Sequence, residues 1–123
     1  FNDLRVIDLS KNAFEGTMPV VAFDNSDLQF LSLAGNDFGG AIPMEISRLR
    51  ALTLVDLSKN AFTSLPESLG AMTQLESLFV GTNAFEEGPL PQYLLSLTNL
   101  RELSLKSSRL DGKIPEAIFM LSK

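Results

Sequence analysis

The sequence of 123 residues contains no cysteine and no histidine. Their absence excludes catalytic centres of the Ser-His-Asp and Cys-His types, metal sites built from histidine or cysteine, and disulfide bonds. We therefore expect no cofactor, no bound metal ion and no enzymatic activity. The missing cysteines do not fix the redox compartment, because flanking segments of a longer chain could carry them.

Positive charge and long apolar runs are also scarce. Ten lysine and arginine residues stand against fifteen aspartate and glutamate residues, so the net charge is −5, and no two basic residues are adjacent. A protein that binds nucleic-acid phosphates needs a basic patch, so we expect no nucleic-acid partner. The apolar runs extend over only a few residues, whereas a membrane-spanning helix needs about 20. We therefore expect no membrane span in this stretch.

What the chain does contain is an internal repeat. The stretch Leu4–Phe14 (LRVIDLSKNAF) returns as Leu52–Phe62 (LTLVDLSKNAF). Aligning the leading leucines gives repeats spaced by 24, 24, 23 and 25 residues, and a period of this size is typical of solenoids. The repeats start at Leu4, Leu28, Leu52, Leu75 and Leu100. We assign residues 1–123 to a single repeat domain.

Each repeat opens with the pattern LxxLxLxxN, in which Ile or Val can replace Leu. The alternation of its fourth to sixth places indicates a short strand. Because each strand returns only one repeat later, neighbouring strands must be parallel. The closing Asn, replaced by Ser108 in the last repeat, can both donate and accept hydrogen bonds. We expect it to bind backbone groups of its own turn and of the next coil, which forms a ladder.

Two further columns complete each coil. Two residues after the Asn place lies an apolar column, mostly aromatic, which we expect to stack as a buried spine. Its members are Phe14, Phe38, Phe62, Phe85 and Leu110. A hydrophobic residue followed by proline then opens a short helical turn, since proline suits a first helical position.

These features together resemble the leucine-rich repeat family, and the GxIP steps of Gly40–Pro43 and Gly112–Pro115 resemble its plant-type class. That class includes receptor-like kinase ectodomains, receptor-like proteins and polygalacturonase inhibitors. The resemblance implies an α/β fold, a right-handed solenoid. Five short parallel strands would line a concave face, with short helical or 3-10 turns on the convex side. The resemblance also implies that the concave face binds proteins, peptides or small ligands.

Some coils depart from the pattern. The first coil has Val20–Asp27 in place of a helical turn, and we expect an irregular loop there with Phe23 turned inward. The third coil is one residue short at Thr63–Ser64, and the fourth is one residue longer at Glu86–Gly88, which predicts a bulge. No polar capping repeat is present, so we expect an uncapped window on a longer array.

Strand alternation places the fourth and sixth residues of each repeat in the core, so the third, fifth and seventh face the concave surface. The candidate ligand-binding residues come from these places. They are Val6, Asp8, Ser10, Phe30, Ser32, Leu54, Asp56, Ser77, Phe79, Glu102 and Ser104. Among them Val6, Phe30, Leu54 and Phe79 would form an exposed apolar strip, a common mark of a binding site. The alternative is that these four are ordinary strand formers that touch along the sheet.

Asp8 and Asp56 raise the one enzymatic alternative. They lie two coils apart, a backbone separation of about 9–10 Å at strand spacing. That is near the roughly 6.5–9.5 Å between the carboxylates of inverting glycosidases. However, the face is open to water, which leaves nothing to raise one pKa. Lys11 and Lys59 also lie three residues on, as possible partners of the carboxylates, so we expect no catalysis here.

The sequence therefore predicts non-catalytic recognition of a protein or peptide ligand by the concave face. The chain would be part of a receptor-like signalling protein that is extracellular or on the cell surface. Two alternatives stay open: an inhibitor of a cell-wall hydrolase, whose partner is a hydrolase or polysaccharide, and a cytoplasmic repeat scaffold. The segment Leu65–Leu69 (LPESL) is closer to intracellular repeats, and no Asn is followed two residues later by Ser or Thr, so a glycosylation sequon is missing.

Overall fold

The computed structural model of this chain describes residues 3–20, 24, 27–107 and 110–111. The expected inward position of Phe23 and the last proline turn, at Ile114–Pro115, lie outside the described residues. Within the described ranges, no helix is long and apolar enough to cross a membrane.

Five short strands form the main sheet. Numbered in chain order with the other strands, they are β1 (Val6–Asp8), β3 (Phe30–Ser32), β5 (Leu54–Asp56), β7 (Ser77–Phe79) and β9 (Glu102–Ser104). They are parallel and adjacent in the order β1-β3-β5-β7-β9. Each strand pairs with its neighbour at the same repeat place, as Ile7 opposite Leu31 and Leu31 opposite Val55 show. The predicted strands and their parallel pairing are confirmed.

Short 3-10 helices form the opposite side of the second, third and fourth coils. They span Met44–Arg48, Glu67–Ala71 and Gln92–Ser96. In each case the preceding residue is the proline of the repeat, with ψ of 144°, 144° and 129°, and Pro43 and Pro66 are extended. Proline cannot donate a backbone hydrogen bond and fixes φ, so it ends the extended segment and starts the helical turn. The predicted proline turns are confirmed in these three coils.

A second parallel sheet was not anticipated from the sequence pattern. It contains β2 (Glu15–Thr17), β4 (Asp37–Ala41) and β6 (Ala61–Ser64), in that order. A separate pair joins β8 (Gly88–Pro89) to β10 (Leu110–Asp111). These strands follow the Asn place and lie between the main sheet and the 3-10 helices along the chain. Their residues are mostly polar or glycine, so period-two alternation gives no clear signal.

The core fills the space between the two sheets and the helices. The leading leucines of the second to fifth repeats, Leu28, Leu52, Leu75 and Leu100, are at most 2% exposed. The expected aromatic stacking is seen for the first three members of the spine: ring centroids are 6.4 Å apart for Phe14 and Phe38 and 6.3 Å for Phe38 and Phe62. Phe62 is fully buried, whereas Phe14 is 47% exposed, so the expected burial of the spine does not extend to Phe14.

The Asn side chains form the predicted ladder. The Asn36 amide donates to the carbonyls of Leu9 (2.8 Å) and Leu33 (3.0 Å), and its Oδ1 accepts from the Phe14 amide (3.1 Å). Asn60 and Asn83 repeat this arrangement one and two coils later. One detail of the expectation is wrong: each Asn binds its own turn and the preceding coil, because its amide lies against the carbonyl that ends the preceding strand segment.

A left-handed residue precedes the Asn place in all five coils. The φ angles are 58° at Lys11, 71° at Gly35, 56° at Lys59, 55° at Thr82 and 54° at Ser107. Only one of these is glycine, so four non-glycine residues adopt a conformation that is uncommon for them. In the coils that have an Asn at this place, the left-handed residue directs the chain so that the Asn side chain points back at its own turn. The hydrogen bonds of Asn36, Asn60 and Asn83 to carbonyls of that turn then hold it.

Replacing Asn60 by alanine is expected to lower the free energy of unfolding by about 1–3 kcal/mol, because part-buried backbone groups of two coils lose their partner. Lys59→Ala is the matched control, since the exposed Lys59 side chain contributes no hydrogen bond of this kind. Urea denaturation of both variants measures the difference. Equal midpoints would contradict the ladder as a source of stability.

Gly81 is required by the close approach of two coils. A Cβ at this position would lie 2.5 Å from the Lys106 carbonyl oxygen and 3.0 Å from its amide nitrogen. We expect Gly81→Ala to destabilise the chain by about 1–3 kcal/mol through overpacking. Gly88→Ala is the control, because no atom lies within 4 Å of its added Cβ. Thermal unfolding should show a lower Tm for Gly81→Ala only, and a matching loss in both variants would refute the steric explanation.

Candidate ligand-binding surface

The third place of each repeat forms one column across the main sheet. Strand register sets Val6 opposite Phe30, Phe30 opposite Leu54, Leu54 opposite Ser77, and Ser77 opposite Glu102. Val6 is 59% exposed, whereas Phe30 and Leu54 are half-buried. Ser77 is 6% exposed and donates its hydroxyl to a Glu102 carboxylate oxygen at 3.0 Å. The column therefore changes from apolar in the first three coils to polar in the last two.

The fifth place forms the neighbouring column. It runs through Asp8, Ser32, Asp56, Phe79 and Ser104 in register. Asp8 is exposed, Asp56, Phe79 and Ser104 are half-buried, and Ser32 is only 5% exposed. Ser32 and Ser77 thus offer little area to a ligand, although both belong to the predicted columns.

The structure makes the predicted apolar strip narrower than the sequence suggested. Val6, Phe30 and Leu54 are consecutive in one column, and Phe79 lies in the adjacent column, on the strand next to that of Leu54. Only Val6 is largely exposed, because the other three pack against their neighbours along the sheet. Phe30 lies opposite Leu54, and Phe79 is the diagonal neighbour of Leu54, within reach of an aromatic side chain. We call these three half-buried apolar residues the concave patch: Phe30, Leu54 and Phe79.

The repeated Asp residues hold turns. Asp8 Oδ1 accepts hydrogen bonds from the Ser10 amide at 3.0 Å and from the Ser10 hydroxyl at 2.6 Å. Asp56 accepts the same pair of bonds from Ser58, at 3.0 and 2.6 Å. The serine bonds are the close contacts of both carboxylates, and Lys11, a possible partner of Asp8 in the sequence, adds only a smaller effect of its charge. This repeated turn positions Ser10 as part of the scaffold.

The electrostatics of Asp8 oppose a catalytic role. The Ser10 hydroxyl and then the Ser10 amide hold the pKa of the Asp8 carboxyl below its ordinary value of 3.8, with a smaller contribution from the charge of Lys11. A general acid needs a pKa raised toward neutrality. Asp8 is therefore ionised at pH 7 and committed to a turn. Within the described ranges, no group of three or more His, Cys, Asp or Glu could hold a metal ion.

A polar cleft borders the concave columns, and sequence reasoning missed it. It has a volume of about 470 Å³ and is lined by Thr53, Gln74, Glu76, Thr98, Asn99 and Arg101. Arg101 and Glu76 approach to 3.8 Å across adjacent coils, and Arg101 is exposed whereas Glu76 is half-buried. Thr53, Glu76 and Arg101 occupy the second place of their repeats. The residue at the second place is polar in every repeat but differs in type from one repeat to the next. That pattern is the sequence signal that could have identified the second place as facing solvent.

The family model described as a leucine-rich repeat region matches residues 1–123. Because the match extends over the entire sequence, the chain belongs to the leucine-rich repeat family. The calmodulin-binding receptor kinase CaMRLK of Arabidopsis thaliana is 34% identical over 114 residues, which cover 90% of this chain and 17% of that protein. Receptor-like protein 41 of the same plant is 37% identical over 116 residues, which cover 91% of this chain and 13% of that protein.

A solved structure shows the same coil geometry. The Arabidopsis receptor kinase HAESA, in complex with the peptide hormone IDA and the co-receptor SERK1, superposes with a TM-score of 0.92 at 33% identity. The likeness covers 98% of this chain and 20% of that chain. The chain therefore spans a fifth or less of the length of these relatives. The repeat region accounts for residues 1–123, so this stretch itself contains no kinase domain.

The Asp–Ser turn gives a prediction about pH. Ser10→Ala should raise the pKa of Asp8 toward its ordinary value of 3.8, because both the hydroxyl bond and its support of the turn are lost. In the folded chain the pKa of Asp8 lies below its ordinary value. The hydrogen bonds from Ser10 therefore stabilise the fold at pH values above the ordinary pKa. This stabilisation is lost as the pH falls through the pKa that Asp8 has in the folded state. Carboxyl-carbon NMR titration measures the shift.

Ser58→Ala is the control for this titration. It removes the equivalent hydroxyl from Asp56, two coils away, and should leave the Asp8 titration unchanged. If Ser10→Ala does not move the Asp8 pKa, or if both variants move it equally, the local hydrogen bond is not its cause.

Proposed function

We propose that this chain is a ligand-recognition segment of a receptor-like protein at the cell surface, and that its concave face binds an extended peptide. The observation that carries the proposal is the concave patch, Phe30, Leu54 and Phe79, on a sheet that closely matches a receptor ectodomain seen with a peptide hormone. The names of the relatives give no support to the cytoplasmic alternative.

The geometry suits a peptide better than a compact small molecule. Three side chains of the patch are partly accessible along a flat sheet, and they offer shallow apolar contacts in place of an enclosed pocket. A peptide laid across the strands would contact the patch and reach the polar cleft at Glu76 and Arg101. The patch would supply apolar anchors, and the cleft would supply groups that hydrogen-bond peptide backbone or polar side chains.

Rigidity favours such binding. The strands and turns under the patch are held by the Asn ladder, so the surface is formed before a ligand arrives. A preformed surface loses little conformational entropy on association, which leaves more of the contact energy for affinity. The charged and apolar side chains that differ between repeats would then determine which peptide is bound.

The proposal is tested by selecting peptides from a phage-displayed library of random 12-residue sequences on the full chain. Selected peptides should bind a Leu54→Ser, Phe79→Ser double variant about tenfold more weakly or worse, the loss typical of interface anchors. Serine is chosen because it already occurs at both repeat places. Ser77 occupies the same place in the fourth repeat as Leu54 in the third, and Ser32 occupies the same place in the second repeat as Phe79 in the fourth. The fold should therefore tolerate both changes.

Met44→Ser is the matched control. Met44 is 68% exposed and begins the 3-10 helix Met44–Arg48, on the far side of the coil from the main sheet. Its substitution should leave peptide affinity unchanged, as measured by fluorescence polarisation. Equal losses in control and double variant, or none in the double variant, would rule out the concave face as the binding surface.

A further inference from the structure

The second sheet is interrupted between the third and fourth coils. Among the described residues, β6 ends one ladder and β8 belongs to another, with no pairing between them. The cause lies in the sequence: Phe62 and Pro66 are four positions apart, whereas Phe85 and Pro91 are six positions apart. Between β4 and β6 a difference of one position is absorbed by a register shift at Gly40 and Ala41, whereas the difference of two positions here ends the pairing. The third and fourth coils separate after the bond from the Ala84 amide to the Phe62 carbonyl at 2.9 Å.

A cleft of about 360 Å³ opens where the two coils separate. Its floor and walls are apolar: Phe85 is 4% exposed, and Leu65, Pro91 and Tyr93 are half-buried. Its rim is exposed and carries Thr63, Ser64, Glu86 and Pro89. Pockets for organic ligands typically have about 300–1,000 Å³. This cleft is at the low end of that range and suits a single large side chain.

Tyr93 is a fixed wall of the cleft. Its hydroxyl donates to the Leu65 carbonyl of the preceding coil at 3.4 Å. Its backbone lies directly over Gly70, where an added Cβ would be 2.8 Å from the Tyr93 carbonyl oxygen and 2.9 Å from its Cβ. Glycine at position 70 thus permits the two 3-10 helices to approach and sets the ring in place. The cleft therefore exists before any ligand binds.

The charged side chains around this cleft are acidic. Glu86 lines it, and Glu87 is the next residue. Glu67 is close enough to Tyr93 to add to the effect of burial, which raises the pKa of the Tyr93 hydroxyl. The described lining residues include no lysine or arginine. A side chain that lies along the cleft can cover the apolar surface with its methylene stem while its cationic end stays at the rim beside the Glu86 carboxylate.

We propose that this cleft binds an arginine side chain presented by an extended loop of a partner protein. The planar guanidinium would stack on the Tyr93 ring and direct its N–H groups to the Glu86 carboxylate. The methylene stem would lie along Leu65 and Pro91. The cleft belongs to the second sheet and not to the concave face, so this contact is separate from the proposed peptide site and would add a second point of attachment.

The test uses NMR titration of the full chain with the peptide acetyl-Gly-Gly-Arg-Gly-Gly-amide. Amide signals of Phe85, Glu86 and Gly88 should shift, while signals of the concave strands should not. A peptide with citrulline in place of arginine keeps the shape but lacks the charge, and should cause much smaller shifts. Equal shifts with citrulline, equally tight binding of a lysine peptide, or shifts centred on Glu76 and Arg101 would each overturn the proposal.

Matched variants locate the contact. Glu86→Gln should weaken the arginine peptide by about two- to fivefold, the range for an exposed ion pair. Glu15→Gln removes the same charge from an exposed position in β2 of the second sheet and should have no effect. Indistinguishable affinities in these two variants would overturn the role of Glu86. The Leu54→Ser, Phe79→Ser double variant should bind the arginine peptide normally, so failure of either site can be recognised without the other.

Discussion

The hydrogen bonds of the Asn side chains are the interactions on which the rest of this fold depends. A solenoid turns sharply at the end of every strand, and each turn leaves backbone amides and carbonyls near the core that must find partners. Asn36 meets this need with one side chain that joins the Leu9 and Leu33 carbonyls to the Phe14 amide. Since those groups belong to two coils, the same bonds that close one turn also fix the spacing of the next.

This linkage explains why so much of the repeated sequence serves the scaffold. Asp8 and Asp56 recur at one place, and recurrence first suggested paired functional carboxylates. Each is instead bound by the serine two residues later, at the same distances in both coils. Under the proposed function, recognition would come from places where repeats differ. The third-place column illustrates this, because it changes from Phe30 and Leu54 to Ser77 and Glu102 without any change in strand register.

The sequence predicted the main sheet well, for a physical reason. Strand, ladder and spine each depend on one residue type repeated at one place, so the alignment of five coils identified Leu31, Asn36 and Phe38 as scaffold. The second sheet escaped prediction because strands such as Glu15–Thr17 hold together by backbone pairing, which side-chain pattern does not record. Exposure was also misjudged: Phe30 and Leu54 face the concave side but cover each other along the column.

The irregular coils show how departures from a repeat can matter more than the repeat. Coils of equal length pair without interruption, as β2 and β4 do, and a difference of one residue between β4 and β6 is absorbed by a register shift. The pairing is broken where a shortened coil lies beside a lengthened one. The short segment at Thr63–Ser64 cannot stay paired with the longer segment at Glu86–Gly88. The main sheet across the same two coils remains paired from Leu54 opposite Ser77 to Asp56 opposite Phe79. The length change is therefore confined to one side of the solenoid.

The Asn ladder makes this possible, because Asn83 joins the third and fourth coils before they diverge. A rigid scaffold can thus acquire a local cleft with little disturbance to its main sheet.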